Sequence, residues 1–230
     1  MLTFMTSAFQ ASLFDADLDG GHGAGQLGRL DRSARIQLSR GAWLDVVPGW
    51  LPGADDLFER LASAVPWRAE RRWMYDQVVA VPRLLCHYGA DDPLPDPALA
   101  EARSALDEHY RPEIGESLCT TGLCLYRDGR DSVAWHGDTS GRRVKETIVA
   151  IVSLGTPRAL MLRPRGGDQR GRSTGAARSQ DGQTLRYLVG HGDLLVMGGT
   201  CQRTWEHSVP KTAKPTGPRI SVQFRPEGIR

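Results

Sequence analysis

The chain has 230 residues, 40% of them hydrophobic and 24% charged, which suits one large globular domain with a substantial core and argues against a disordered or fibrous chain. A net charge of +2 excludes a polycation, so attraction to nucleic acid has to come from local patches. No apolar run approaches the roughly 20 residues that span a bilayer, none of the four cysteines (Cys86, Cys119, Cys124, Cys201) stands in a CxxC pair, and the start MLTFMTSAFQ lacks the layout of a secretory leader, so free thiols in a reducing cytoplasm and no membrane association are expected.

Residues 1–33 contain the glycine-rich DGGHGAGQLG and few core residues, and are expected to form a flexible N-terminal arm. A single domain over 34–230 should follow, its helical and lid part at about 34–117. ADDLFERLASAV (54–65) has Leu57, Phe58 and Leu61 on one stripe and predicts a helix. RRWMYDQVVAVPRLLCHYG (71–89) mixes aromatic and β-branched residues and predicts a strand or hairpin. DPALAEARSALDEHY (96–110) predicts a second helix, with proline near its start and Leu99 and Leu106 on one face. From about 118 the pattern changes to short strands and turns: TTGLCLYRDG, DSVAWHGD, KETIVAIVSLG, RALMLRP, LRYLV, LLVMGG and RISVQFR. Such a run suggests a β-sandwich or barrel, with the two helices packed on one sheet, an α+β and mainly β fold. Between two of these strands, 163–183 has almost no core residues. From 156 to 183 six arginines stand against two acids, which predicts a basic loop, either a solvated linker or a phosphate contact.

AWHGDTS (134–140) places His136 and Asp138 two apart at a strand end, hence on one face. Two metal ligands, a catalytic dyad and an ordinary polar strand end all fit that pattern. His207, in TWEHSVPK, is a third candidate ligand, although a lone histidine is more often structural; Glu206 alternates away from it and Trp205 reads as packing. In RISVQFR (219–225), Arg219, Ser221, Gln223 and Arg225 share one face and Ile220, Val222 and Phe224 the other. A half-exposed strand with a solvated polar face explains this. So does a barrel strand whose inner face holds a ligand, and two inward guanidiniums would then need an anion such as a dicarboxylate. Two imidazoles and a carboxylate leave open positions on iron(II), and zinc accepts the same set; the arginine strand favours iron.

The run of LYRDGRDSVAWHGD, GDLLVMGG, WEHSVPK and PRISVQFR, in that order and spacing, resembles the AlkB family of iron(II)- and 2-oxoglutarate-dependent dioxygenases, and VPRLLCHYG resembles the family's segment near the substrate base. The resemblance covers about residues 75–226. It implies a double-stranded β-helix, a jelly-roll core at about 118–230 with flanking helices. It implies His136, Asp138 and His207 as ligands of Fe(II), and Arg219, Arg225, Tyr126 and Ser221 around the cosubstrate 2-oxoglutarate, with Arg219 on its distal carboxylate. Arg83, Tyr88 and the turn at Ser140 would border the base pocket, with His87 near it. It further implies molecular oxygen as co-reactant, a monomer, and oxidative dealkylation of an N-alkylated base in DNA or RNA, single-stranded or flipped from a duplex, releasing succinate, CO2 and aldehyde.

The chain departs from the family where Cys124 replaces an asparagine two before the tyrosine, Ser140 replaces an acid, and Ser221 replaces an asparagine. These departures leave the metal set intact and bear on the substrate. Three other readings stand beside this one: the same fold acting on a small molecule or protein, a catalytically silent nucleic-acid-binding module, and a zinc hydrolase.

Overall fold

The computed structural model describes residues 25–74, 76–138, 145–166 and 183–229. Strands β1 (Ala34–Gln37) and β2 (Ala42–Val47) lead into helix α1 (Ala54–Ala64), which carries Asp55 and Asp56 in its first turn, where the partial positive charge of a helix start favours them. β3 (Arg68–Met74) and β4 (Gln77–Tyr88) form the expected hairpin. α2 (Pro97–Ile114) is framed by its sequence: the Asp96 side chain accepts the Ala98 N–H at 2.9 Å, Pro97 opens the helix, and Gly115 closes it at φ +70°. Leu99, Ala102, Leu106 and Tyr110 are its buried stripe.

The rest is strand: β5 (Leu118–Tyr126), β6 (Val133–His136), β7 (Val149–Gly155), β8 (Arg158–Pro164), β9 (Leu185–Val189), β10 (Leu194–Gly199), the one-turn α3 (Cys201–Thr204), β11 (Trp205–Val209) and β12 (Arg219–Pro226). An eight-stranded sheet runs β1-β2-β10-β7-β12-β5-β4-β3, and a four-stranded sheet runs β6-β11-β8-β9. Every pairing between them is antiparallel. From β5 onward the chain passes back and forth between the sheets, the winding of a double-stranded β-helix.

Strand alternation divides the interior into two cores. Val152, Leu154, Val222 and Phe224 pack with α1 and α2 behind the larger sheet. Val149, Ile151, Leu160, Leu162, Met197 and Trp205 fill the space between the sheets. β12 is therefore covered on both sides, and its polar face looks into the molecule rather than into water.

Part of the stretch expected as a loose arm is tied down. The Gly28 N–H bonds the Trp50 carbonyl at 2.8 Å, and Leu27 and Leu30 pack on the helix-side core. Residues 1–24 and 167–182, hence most of the arm and of the basic loop, lie outside the described residues.

Candidate active site

His136 closes β6 and His207 lies opposite it on β11; the register shifts by a bulge just beyond this pair. Bulges re-aim side chains next to sites of chemistry. The two ring centroids are 4.2 Å apart. Asp138 stands just past the strand end, its Oδ1 3.5 Å from His136 Nε2. One ligand atom from each of His136, Asp138 and His207 can be chosen so that all lie within 4.8 Å of one another. The glycine between the first two is a steric requirement: a Cβ at Gly137 would lie 2.6 Å from the Gln202 carbonyl oxygen.

The surroundings put each of the three in its metal-binding form. His136 Nδ1 lies 2.9 Å from the Ala134 carbonyl oxygen; a carbonyl can only accept, so Nδ1 carries the hydrogen of that bond and Nε2 faces Asp138. Burial pushes the His207 imidazole down to about 3, so it is neutral. Burial alone would raise the Asp138 carboxyl, but the group is held well below the usual carboxylate range, the neighbouring Arg225 guanidinium being the largest lowering influence. Arg225 Nε donates to Asp138 Oδ2 at 3.3 Å, and the Asp138 N–H is held by Gln202 Oε1 at 3.0 Å. Two imidazoles and an ionised carboxylate fit a ferrous ion with positions left open.

Beside this group a small cavity between the sheets is lined by Arg83, Cys124, Tyr126, Arg219, Ser221 and Gln223, among others. Arg219 is 2% exposed; among the described residues it has no carboxylate partner, Nε donates to Ser153 Oγ at 2.8 Å, and Nη1 has no acceptor. Burial lowers its pKa. A second buried guanidinium, Arg158, donates to the carbonyls of Asp128, Asp131 and Pro210. Both flank the Tyr126 ring, at 5.3 Å and 5.7 Å, and burial pushes that phenol up to about 12, so it stays protonated. Buried positive charge without a counter-charge is costly, and an anion in this cavity would relieve it. The residues present therefore fit a carboxylate ligand next to a metal.

A wider cleft of about 580 Å³ opens over the metal group, bordered by Glu70, Arg83, His87, His136 and Arg225. The β3–β4 hairpin beside it carries Trp73, 70% exposed, and Val78, 48% exposed.

Not every expected residue sits here. Tyr88 is not among the residues bordering the cleft: alternation along β4 packs it onto the helix-side core, while His87 takes the cleft side with Arg83. Ser140 lies outside the described residues. Glu206 is paired to Arg163 at 2.9 Å, away from the metal group. Three contributors have no assigned role in the sequence reading. Ser153 is detectable as the one polar residue inside the apolar run VAIVSLG, and Gln223 shares the period-two face of Arg219. Gln202, on the turn α3, carries no sequence signal.

Residues 101–225 match the 2OG-Fe(II) oxygenase superfamily. Among curated proteins, the alpha-ketoglutarate-dependent dioxygenase alkB homolog 3 of Bos taurus is 31% identical over 192 residues, covering 77% of this chain and 64% of its own. The DNA oxidative demethylase ALKBH2 of Arabidopsis thaliana is 29% identical over 221 residues, covering 83% of this chain and 68% of its own. The chain thus spans under two thirds of the first of these relatives. Among solved structures, a Pseudomonas putida prolyl-4-hydroxylase is 14% identical with a TM-score of 0.52, covering 83% of this chain and 95% of its own, which supports the fold alone.

Proposed function

The chain belongs to the 2OG-Fe(II) oxygenase superfamily and is AlkB-like within it, and from that premise we propose that it is an iron(II)- and 2-oxoglutarate-dependent dioxygenase that removes alkyl groups oxidatively from nucleic-acid bases. The observation that carries this is the convergence of His136, Asp138 and His207 beside a buried Arg219 that has no carboxylate partner among the described residues.

His136, Asp138 and His207 would hold the metal, and Arg219 the far carboxylate of 2-oxoglutarate, where a guanidinium fork matches a carboxylate in shape and charge. Bound iron and cosubstrate supply oxidation of a C–H bond by oxygen, with release of succinate and CO2. The protein's part is geometric and electrostatic. Tyr126, kept protonated, is available as a hydrogen-bond donor to the cosubstrate, and Arg225 keeps Asp138 ionised and oriented. The apolar wall of Val149, Ile151 and Leu160 excludes water from the inner cavity.

The nucleic-acid reading draws support from the cleft. A base in a stacked duplex cannot reach a metal group set inside it, so the substrate would be single-stranded or flipped. Trp73, exposed on the strand that also carries the cleft-bordering Glu70, offers a stacking face, and Arg68 and Arg71 on the same strand offer phosphate contacts. The chain names of the relatives, a DNA oxidative demethylase among them, point the same way. All four cysteines are free, and no helix among the described residues is long and apolar enough to cross a membrane. We place the protein in the cytoplasm, as a monomer with one dioxygenase domain over residues 34–230.

The test is anaerobic loading with Fe(II), then succinate and formaldehyde assay against a panel of methylated single-stranded and duplex oligonucleotides. Coupled release from at least one methylated base is expected. Succinate formation with no formaldehyde from any base would move the substrate to a small molecule or protein, and binding without either product would favour a silent module.

A further inference from the structure

The polar face of β12 is a directed chain of hydrogen bonds. Arg225 holds Asp138 through Nε and, through Nη2, donates to Gln223 Oε1 at 2.9 Å. Gln223 Nε2 donates to Ser221 Oγ at 3.0 Å and lies 3.5 Å from Cys124 Sγ. Space for this chain comes from the neighbouring strand. Gly122 is the register partner of Gln223, and a Cβ there would lie 2.8 Å from Arg225 Nη1 and 3.2 Å from Gln223 Oε1.

Donor and acceptor chemistry sets the direction of the chain. A guanidinium has only donors, so the amide oxygen of Gln223 must face Arg225 and its NH2 must face Ser221. Ser221 Oγ then accepts, and its own hydrogen makes no bond to a protein acceptor among the described residues. Ser221 is 3% exposed and lines the same cavity as Arg219 and Tyr126. A carboxylate there would take that hydrogen.

Building on the oxygenase reading above, we propose that Gln223 is a positioning residue: it makes the Ser221 hydroxyl a donor to the cosubstrate carboxylate and braces Arg225 against the metal-ligating Asp138. It thereby supplies, through Ser221, a contact that an amide at position 124 would otherwise make, since Cys124 is a poor donor.

The test is calorimetric titration of 2-oxoglutarate into the full chain loaded with Mn(II), which needs no turnover. Gln223→Glu can still accept from Arg225 but cannot donate to Ser221. About tenfold weaker 2-oxoglutarate binding is expected, with Mn(II) affinity close to that of the parent. Gln223→Met, neutral and of similar size, should lose at least as much, which separates the missing donor from the added charge. Ser221→Ala should show a similar loss, and combining it with Gln223→Glu should add little, because both changes remove one contact.

Unchanged binding in Gln223→Glu and Gln223→Met, or losses that multiply in the double variant, would overturn the relay while leaving the oxygenase reading in place. A parent chain that fails to bind 2-oxoglutarate would overturn that reading and the relay with it.

Discussion

His136 and His207 are register partners on β6 and β11, and their rings stand 4.2 Å apart across the strand pair. Neighbouring strands lie about 4.8 Å apart, so this pairing alone brings two remote histidines to ligand distance of one ion. A ligating imidazole needs a bare nitrogen; burial keeps His207 neutral, and the Ala134 carbonyl orients the His136 ring by accepting from Nδ1.

Replacing His207 with alanine removes one ligand from the middle of a paired strand without breaking a backbone hydrogen bond. The variant is expected to keep its far-ultraviolet circular dichroism and to bind Fe(II) or Mn(II) at least ~100-fold more weakly, with no measurable succinate formation. Asp138→Ala should behave alike. Retained metal affinity in either would disprove the ligand assignment. The magnitude follows from losing one of three protein donors, each worth several kcal/mol at a first-row metal.

Arg219 makes a prediction of opposite sign for stability and for binding. The buried guanidinium has no carboxylate partner among the described residues, and buried charges replaced by apolar groups of similar volume are often neutral or stabilising. Arg219→Met is therefore expected to leave the melting temperature of the metal-free chain unchanged or to raise it. The same variant should lose the thermal upshift that 2-oxoglutarate gives the metal-loaded chain, corresponding to at least ~100-fold weaker binding. Thermal melts with and without 2-oxoglutarate check both halves, and a strong drop in the unliganded melting temperature would contradict the first.

A separate network holds the larger sheet to α2. Asp45, 1% exposed, accepts from Tyr110 Oη at 3.0 Å and from Arg35 Nε and Nη2 at 3.0 and 2.9 Å, and Arg35 reaches on to Glu113. Tyr110→Phe removes one neutral donor and should cost about 1 kcal/mol. Asp45→Ala strands a fully buried hydroxyl and a partly buried guanidinium and should cost about 2–3 kcal/mol. Denaturant melts would register the two values; equal costs would mean that Asp45 is not the hub.

Asp96 caps α2 and pairs with Arg60, Nε to Oδ2 at 2.7 Å. Arg60 first, then the Ala98 N–H, lower its pKa below the ordinary 3.8 against the opposing effect of burial. A carboxyl depressed in the folded state binds its proton more readily when unfolded. Its contribution is therefore complete above about pH 4 and lost as pH falls through the folded value. Asp96→Asn keeps a cap without the charge. The parent should be the more stable of the two at pH 7, and that advantage should shrink to nothing in the acid range below 3.8. A difference in melting temperature that stays constant from pH 7 to pH 3 would show that charge plays no part.

Much of the site was legible because its chemistry is local in sequence. His136 and Asp138 share a face through a two-residue period, the four polar residues of 219–225 do the same, and Pro97 marks the start of α2, which runs past the expected end at Tyr110 to Ile114. The polar face of β12 is where local pattern stops. A period of two separates two faces but cannot say which one meets water, and only the second sheet, laid over Arg219, Ser221 and Gln223, makes that face the interior.

The same limit explains Tyr88. Alternation guaranteed that His87 and Tyr88 would face opposite ways, and only the position of the helices decided which of them borders the cleft. From sequence alone came the kinds of ligand, the cationic strand and the two helices, because propensity and periodicity act between residues a few positions apart. Tertiary structure alone decided the rest: the β6–β11 register that pairs the histidines, the burial that leaves Arg219 without a counter-ion, and the bare backbone at Gly122 over which Gln223 reaches Arg225. Those depend on which distant strands become neighbours, and no local period encodes that.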